Sequence, residues 1–215
     1  MNENCFLDRP AWTAVFLSAT CPDEIFTDRS KLGISLLTLV AQLPRLAKRT
    51  RHAVLMQHTL SPGDFNTIAT DARVVRSKAS AWRRRFDITL IHTEKRPKSD
   101  TVDFDKRYEL LGVSLVVKIL VNRVLSAIVP FERAILEEDV QNAAIELKEV
   151  FESTKHSARA KFFLQQKVGA ANAAIDTHAD FLEVVNSGKV VEVWRFKRFW
   201  EMMGGVFCDG ATCCE

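Results

Sequence analysis

The amino-acid sequence predicts one all-α domain, a bundle of about seven or eight helices. Three observations lead to this prediction. Apolar residues recur at spacings of three and four along most of the chain, alternating β-branched runs are rare, and only eight Gly and six Pro occur in 215 residues. The composition, 47% apolar and 27% charged, is typical of a globular protein large enough to enclose a core.

Residues 105–129 are the predicted centre of the bundle. Apolar residues occupy two neighbouring helical faces and leave little of the cylinder polar, which is typical of a helix enclosed by other helices. Lys118, Asn122 and Arg123 interrupt the apolar run before the roughly 18–20 residues that a membrane span needs, so a buried helix is favoured and no membrane is expected. Pro130 ends the helix because it lacks an N–H and disfavours helical backbone in the residue before it.

Two shorter helices are predicted at the start of the chain. Asp8 and Pro10 indicate a helix start for residues 6–19, and Asp28 is the predicted cap of the next helix. Pro44 then predicts a kink or a tight junction in that second helix rather than a long loop.

The longest predicted helix begins at Ser61 and Pro62 and extends to about Thr93. The polar, proline-bearing segment 95–100 is the clearest loop in the sequence. Because this loop joins the long helix to the central one, we expect the two helices to lie antiparallel.

Three amphipathic helices are predicted after Pro130, over residues 131–154, 158–178 and 190–203. The first is expected to place Ile135 inside and its acidic residues outside. The second carries small residues that allow close helix approach, and the third ends at a pair of glycines.

Charge is unevenly distributed although the net charge is only +3. Basic residues dominate segment 73–98 and acidic residues dominate segment 132–152, and both are interpreted as solvated faces that pair within the fold. Arg83, Arg84 and Arg85 are consecutive and therefore spread around a helix, so they do not form the stripe that a DNA groove requires.

The five cysteines lie near the two ends of the chain: Cys5, Cys21, Cys208, Cys213 and Cys214. Their odd number, together with a first segment that lacks the pattern of a secretory signal, indicates a reducing compartment and free thiols. The last three lack the paired spacing of a zinc knuckle. We therefore expect a folded domain over residues 1–205 and a disordered, Cys-containing tail over residues 206–215.

No recognisable catalytic pattern occurs in the sequence. A Gly-rich phosphate loop and G-x-S-x-G are both absent, and the five histidines are scattered. His178 lies two residues from Asp176 and from Asp180, spacings that do not share a helix face. The sequence thus predicts no catalytic residue, no metal and no cofactor, and the chain is expected not to be an enzyme.

Asn122 and Arg123 form the one polar pair on the most apolar helix. A buried arginine is costly unless it is hydrogen-bonded or paired with an acid. The pair is therefore predicted to be structural, with Arg123 tying the central helix to an acid such as Glu137 or Glu146 rather than contacting a ligand.

Five segments, in order, resemble the regulatory region of fungal Zn(II)2Cys6 transcription factors. They are FLDRPAWTAV, ISLLTLVAQLPRLAKRT, YELLGVSLVVKILVNRVLSAI with its Asn122–Arg123 pair, LEEDVQNAAIEL and FKRFWEMMGGVFCDG. The resemblance covers nearly the whole chain and implies an all-helical domain for effector sensing, dimer contacts or transcriptional activation, in the nucleus or cytoplasm. The family's six-cysteine zinc cluster is missing, so no DNA-contacting or metal-binding residue carries over and direct sequence-specific DNA binding is not expected. The chain is then either a piece of a longer regulator or a free-standing relative that acts on partners.

The family resemblance leads to three hypotheses of different kinds. The first is a regulatory domain that acts through protein contacts or a small apolar ligand. It predicts a cavity lined by Trp82, Phe86, Leu111, Leu115 and Trp194. The second is a helical enzyme or accessory protein of fungal secondary metabolism, for which a His and an acid should meet inside one cavity. The third is an interaction module that pairs with a related transcription factor and blocks it.

Overall fold

The computed structural model describes residues 25–27, 29–94, 101–154, 156–182 and 189–203. Within these ranges the chain forms seven α-helices and one 3-10 turn, without a strand, so the all-α prediction is confirmed. The helices are α1 Lys31–Leu55, α2 Pro62–Glu94, α3 Thr101–Ile128, α4 Arg133–Ser153, α5 Ala158–Asp176, α6 His178–Leu182 and α7 Val193–Met202, and the 3-10 turn is Pro130–Glu132. The predicted helix over residues 6–19, all five cysteines and the predicted tail lie outside the described residues.

Helix α1 starts two residues later than the sequence predicts. Ser30, not Asp28, is its cap, because the Ser30 hydroxyl oxygen accepts a 2.9 Å hydrogen bond from the Gly33 N–H. The Ser30 hydroxyl also donates to the Thr27 carbonyl at 2.7 Å, which fixes the entry of the chain. The helix runs through Pro44 without ending, and Pro44 is exposed.

Helix α3 is the centre of the bundle, as predicted, and packs against α1, α2, α4 and α5. Every residue from 121 to 128 is buried. The apolar stretch is nevertheless longer than the sequence analysis allowed: Asp105–Ile128 is long and apolar enough to cross a membrane by length and composition alone. In the fold, 78% of the most apolar 18-residue stretch of this segment is buried, as is typical of the core helix of a helical bundle.

Helices α2 and α3 lie antiparallel, as predicted. Phe86, late in α2, and Arg107, early in α3, both contact the Phe26 ring. Arg76, earlier in α2 than Phe86, and Lys118, later in α3 than Arg107, both reach Asp139. Residue numbers thus run in opposite directions along the two helices.

A ladder of three ion pairs connects α2 to the α4 side of the bundle. Arg73 pairs with Glu132, Arg76 with Asp139, and Arg83 with Glu146 at 2.8 Å. Partner numbers increase together, so α2 and α4 run in the same direction on the two flanks of α3. The basic and acidic segments therefore pair within the fold, as the charge distribution predicts, whereas Arg84 and Arg85 are exposed.

Helix α4 differs from its predicted orientation at two positions. Ile135 is 67% exposed, whereas Glu137 is completely buried. Glu137 lies three and seven residues before Val140 and Ala144, which are also buried, so the inward face of α4 includes this acid. The prediction that Ile135 is inside and all acids are outside was wrong at these positions.

Helix α5 packs closely against α3, as its small residues predict. Its N-terminus is capped by Ser157, whose hydroxyl also donates to Asp105 on α3 at 2.7 Å. Gly112 on α3 lies directly against Leu164 on α5, and a Cβ atom there would overlap Leu164 Cδ2. Gly112 is therefore a close-approach position between the two helices.

We expect Gly112→Ala to destabilise the protein because Leu164 is fully buried and has little room to move. Overpacking of this kind costs roughly 1–3 kcal/mol, which outweighs the gain in helix propensity of about 0.5–1 kcal/mol. Gly169→Ala on α5 is the matched control, since no atom lies within 4 Å of its added Cβ, and it should stabilise by about 0.5–1 kcal/mol. Urea unfolding followed by circular dichroism measures both; equal effects at the two glycines would contradict the close approach.

Candidate functional site

Arg123 and Glu137 form a buried ion pair at the centre of the fold. Both side chains are fully buried, and Arg123 Nη1 lies 2.8 Å from Glu137 Oε2. Asn122, beside Arg123, is also fully buried. The prediction that Arg123 ties the central helix to an acid, with Glu137 among the candidates, is confirmed.

The remaining contacts of Arg123 come from three further elements. Its Nη2 donates to the Ala174 carbonyl near the end of α5 at 2.6 Å. Its guanidinium carbon lies 4.0 Å from the Phe181 ring centroid in α6 and 5.2 Å from the Phe199 ring centroid in α7. Desolvated cation–π contacts at such distances are attractive. One side chain of α3 thus contacts α4, α5, α6 and α7.

The guanidinium of Arg123 keeps its charge despite this burial. Loss of hydration lowers the pKa of Arg123 to about 10, and the nearby carboxylates of Glu137 and Asp180 oppose this change. The group therefore remains protonated at neutral pH. The Nη1–Oε2 contact has ion-pair distance without hydrogen-bond alignment, and Arg123 Nε has no hydrogen-bond partner among the described residues.

Glu137 is shared by two further polar side chains. Its Oε1 lies 2.8 Å from His178 Nδ1 and accepts a 2.9 Å hydrogen bond from Gln141 Nε2. Gln141 also donates to the Ala174 carbonyl at 3.0 Å, the same oxygen that Arg123 uses. The sequence did not indicate the His178 contact because the two residues are 41 positions apart and lie on different helices.

A second buried arginine, Arg133, closes the C-terminal end of α3. Its Nε donates to the Ser126 carbonyl at 2.7 Å and its Nη2 to the Lys189 carbonyl at 2.8 Å. The Val191 N–H donates to the neighbouring Ala127 carbonyl at 2.9 Å. The last carbonyls of a helix lack intrahelical partners, and a positive charge is favourable there. Burial lowers the pKa of Arg133 to about 10.

An open pocket lies at the other end of α3, between α1, α3 and α5. Its volume is about 290 Å³. Apolar side chains form most of its wall: Phe26, Leu36, Leu37, Leu110, Val113 and Phe163. Thr27, Gly33 and three charged residues, Lys106, Glu109 and Arg159, form the rest of the wall.

The five residues predicted to line a cavity do not line this pocket. Trp82 and Phe86 are fully buried in the core, where their rings stack with centroids 5.2 Å apart. Leu115 is buried and Leu111 half-buried on α3. Trp194 is 52% exposed on α7, so its predicted place in an interior wall does not agree with the structure. Burial of Phe196 and Phe199 turns Trp194 to the outer side of this short helix.

The His178–Glu137 contact lies outside the pocket wall. Glu137 contacts His178 and Gln141 through Oε1 and pairs with Arg123 through Oε2, and His178 is 41% exposed. In the part of the chain that the structure describes, no group of three His, Cys, Asp or Glu residues is placed to hold a metal ion.

Comparison of the chain with protein-family models, curated proteins and solved structures yields no match. The resemblance to fungal transcription regulators therefore stays a prediction.

We expect Glu137→Met to destabilise the fold strongly, because it leaves Arg123 as an unpaired buried cation. Removal of one partner from a buried ion pair costs roughly 3–5 kcal/mol, whereas replacement of both by apolar residues is often far less costly. The double variant Arg123→Met/Glu137→Met should therefore be more stable than Glu137→Met alone, as measured by urea unfolding.

Arg76→Met provides the control, because its partner Asp139 and Arg76 itself are both about one-third exposed. A pair of this kind contributes up to about 1 kcal/mol. A double variant that loses the sum of the two single losses would contradict a coupled buried pair.

Proposed function

We propose that this chain is a regulatory domain of the kind found in fungal Zn(II)2Cys6 transcription factors, without their DNA-binding module. It acts in the nucleus or cytoplasm, through protein contacts or by sensing a small apolar molecule. The observation that carries the proposal is the open apolar pocket on the same central helix as the buried Asn122–Arg123 pair.

Helix α3 offers a physical route from this pocket to the rest of the bundle. Leu110 and Val113 line the pocket, and Arg123, ten residues beyond Val113, contacts four other helices. A ligand shifts a conformational equilibrium only by binding one arrangement more tightly than another. A small displacement of α3 on ligand binding would change the packing around Arg123 as well.

Exposed apolar residues on α2 support contacts with a protein partner. Ile88 and Ile91 are each 55% exposed and Val74 is 47% exposed, on the side of α2 that also carries the exposed Arg84 and Arg85. Interface centres are enriched in apolar residues and arginine. We assign the protein-contact role to this α2 face, defined by Val74, Arg84, Arg85, Ile88 and Ile91.

The test is a fusion of the full 215-residue chain to a heterologous DNA-binding domain in fungal cells that carry a matching reporter gene. We expect the fusion to change reporter expression several-fold, up or down, relative to the DNA-binding domain alone. Ile88→Glu should abolish most of this change, because it places a charge in the α2 face without disturbing the core.

Ile145→Glu is the matched control, since Ile145 has a similar exposure, 51%, but belongs to α4. The abundance of each fusion is measured by immunoblotting. A full-chain fusion that is abundant but leaves the reporter unchanged would refute the regulatory function, and equal loss in both variants would refute the role of the α2 face.

A further inference from the structure

We propose that the pocket between α1, α3 and α5 binds a medium-chain aliphatic carboxylic acid, with the carboxylate at Lys106 and Arg159. This inference rests on the proposed sensing function and names the chemical class of its ligand. It combines the size of the pocket, its apolar wall and an excess of positive charge at its polar side.

The size and wall of the pocket fit a short aliphatic chain. A volume of about 290 Å³ equals roughly ten water molecules at about 30 Å³ each, which corresponds to a ligand the size of octanoic acid. Phe26 and Leu36 are almost completely buried beneath the pocket, and Leu37, Leu110, Val113 and Phe163 surround it. Such a wall favours a hydrocarbon chain over a polar ligand because it removes apolar surface from water.

The polar side of the pocket has one positive charge in excess. Arg159 Nε lies 3.1 Å from Glu109 Oε1, so this cation and the acid compensate each other. Lys106 is half-buried and forms no ion pair within the described ranges. Of the three charged residues that line the pocket, two are cations and one is an anion, which leaves a net charge of +1 to be matched by a ligand.

Two further cations contact the aromatic rings of the pocket wall. The Arg107 guanidinium carbon is 4.7 Å from the Phe26 ring centroid, and Lys167 Nζ is 3.7 Å from the Phe163 ring centroid. Arg107 Nε is buried without a hydrogen-bond partner in the described structure. Asp105, another acid of α3 near this pocket, accepts from the Ser157 hydroxyl at 2.7 Å and is thereby engaged at the start of α5.

These features distinguish a carboxylate from other head groups. A fatty acid is ionised at pH 7, since carboxyl groups titrate near pH 4, and its single charge matches the excess of one. Charge-assisted hydrogen bonds from Lys106 and Arg159 would hold it. An alcohol of equal length would lose these bonds, and an amine would be repelled.

The experiment is isothermal titration calorimetry of the full chain at pH 7 with octanoic acid, 1-octanol and octylamine. We expect octanoic acid to bind at least about tenfold more tightly than 1-octanol, and octylamine not to bind. Lys106→Met should remove the preference for the acid, while Lys148→Met, which changes an exposed lysine of α4, should leave all three affinities unchanged.

Leu37→Trp tests the location of binding, because Leu37 lines the pocket but is 38% exposed and so tolerates a larger side chain. It should abolish binding of octanoic acid while the urea unfolding midpoint stays near that of the unmodified protein. No binding of octanoic acid, equal binding of acid and alcohol, or binding that survives Leu37→Trp would each overturn the proposal. The reporter assay is independent of this titration, so an active fusion that binds no octanoic acid would leave the regulatory function standing and refute only the ligand class.

Discussion

A charged group without access to water constrains the whole arrangement of this bundle. Arg123 is fully buried on the central helix, and its charge is compatible with the core only because groups from four other helices surround it. The carboxylate of Glu137, the Ala174 carbonyl and two Phe rings must all stay in place at once. Apolar packing tolerates small shifts between helices, whereas an ion pair in a region of low polarity loses much of its attraction when its partners separate. The pair therefore specifies how α4 to α7 are placed around α3.

The two buried arginines hold α3 in place at different positions along the helix. Arg123 fixes the sides of the helix, while Arg133 fixes its end by donating to the Ser126 and Lys189 carbonyls. Arg133 is the first residue of the next helix, so the chain segment after Pro130 itself supplies a side chain that closes α3, together with the Val191 N–H. The open pocket lies at the opposite end of α3, where Lys106 and Glu109 remain half-buried. The central helix is thus firmly anchored at its C-terminal half and more accessible at its N-terminal half.

The sequence predicted the helices well because their apolar spacing is a local property. The antiparallel α2 and α3, the central position of α3 and an acid partner for Arg123 all followed from pattern and loop length. The predictions of side-chain orientation failed where a contact between residues far apart in the sequence outweighed the local apolar pattern. Glu137 lies on the inward face of α4 because it pairs there with the buried Arg123. Ile135 does not lie on that face and is therefore exposed. Trp194 was predicted to line a cavity, but two Phe residues fill the inward face of α7. The described pocket has other lining residues than the five predicted, because residues of three helices and of the segment before α1 form its wall, and their proximity has no signature in any one segment.

The ladder between α2 and α4 has a consequence for the behaviour of the domain in solution. Its side chains are about one-third or more exposed, and they bridge two helices that flank α3. Solvent-exposed ion pairs weaken as the salt concentration rises, whereas a buried pair such as Arg123–Glu137 is screened much less. Electrolyte concentration thus changes how strongly α2 is held to the α4 side of the bundle, and it has much less effect on the contacts of Arg123.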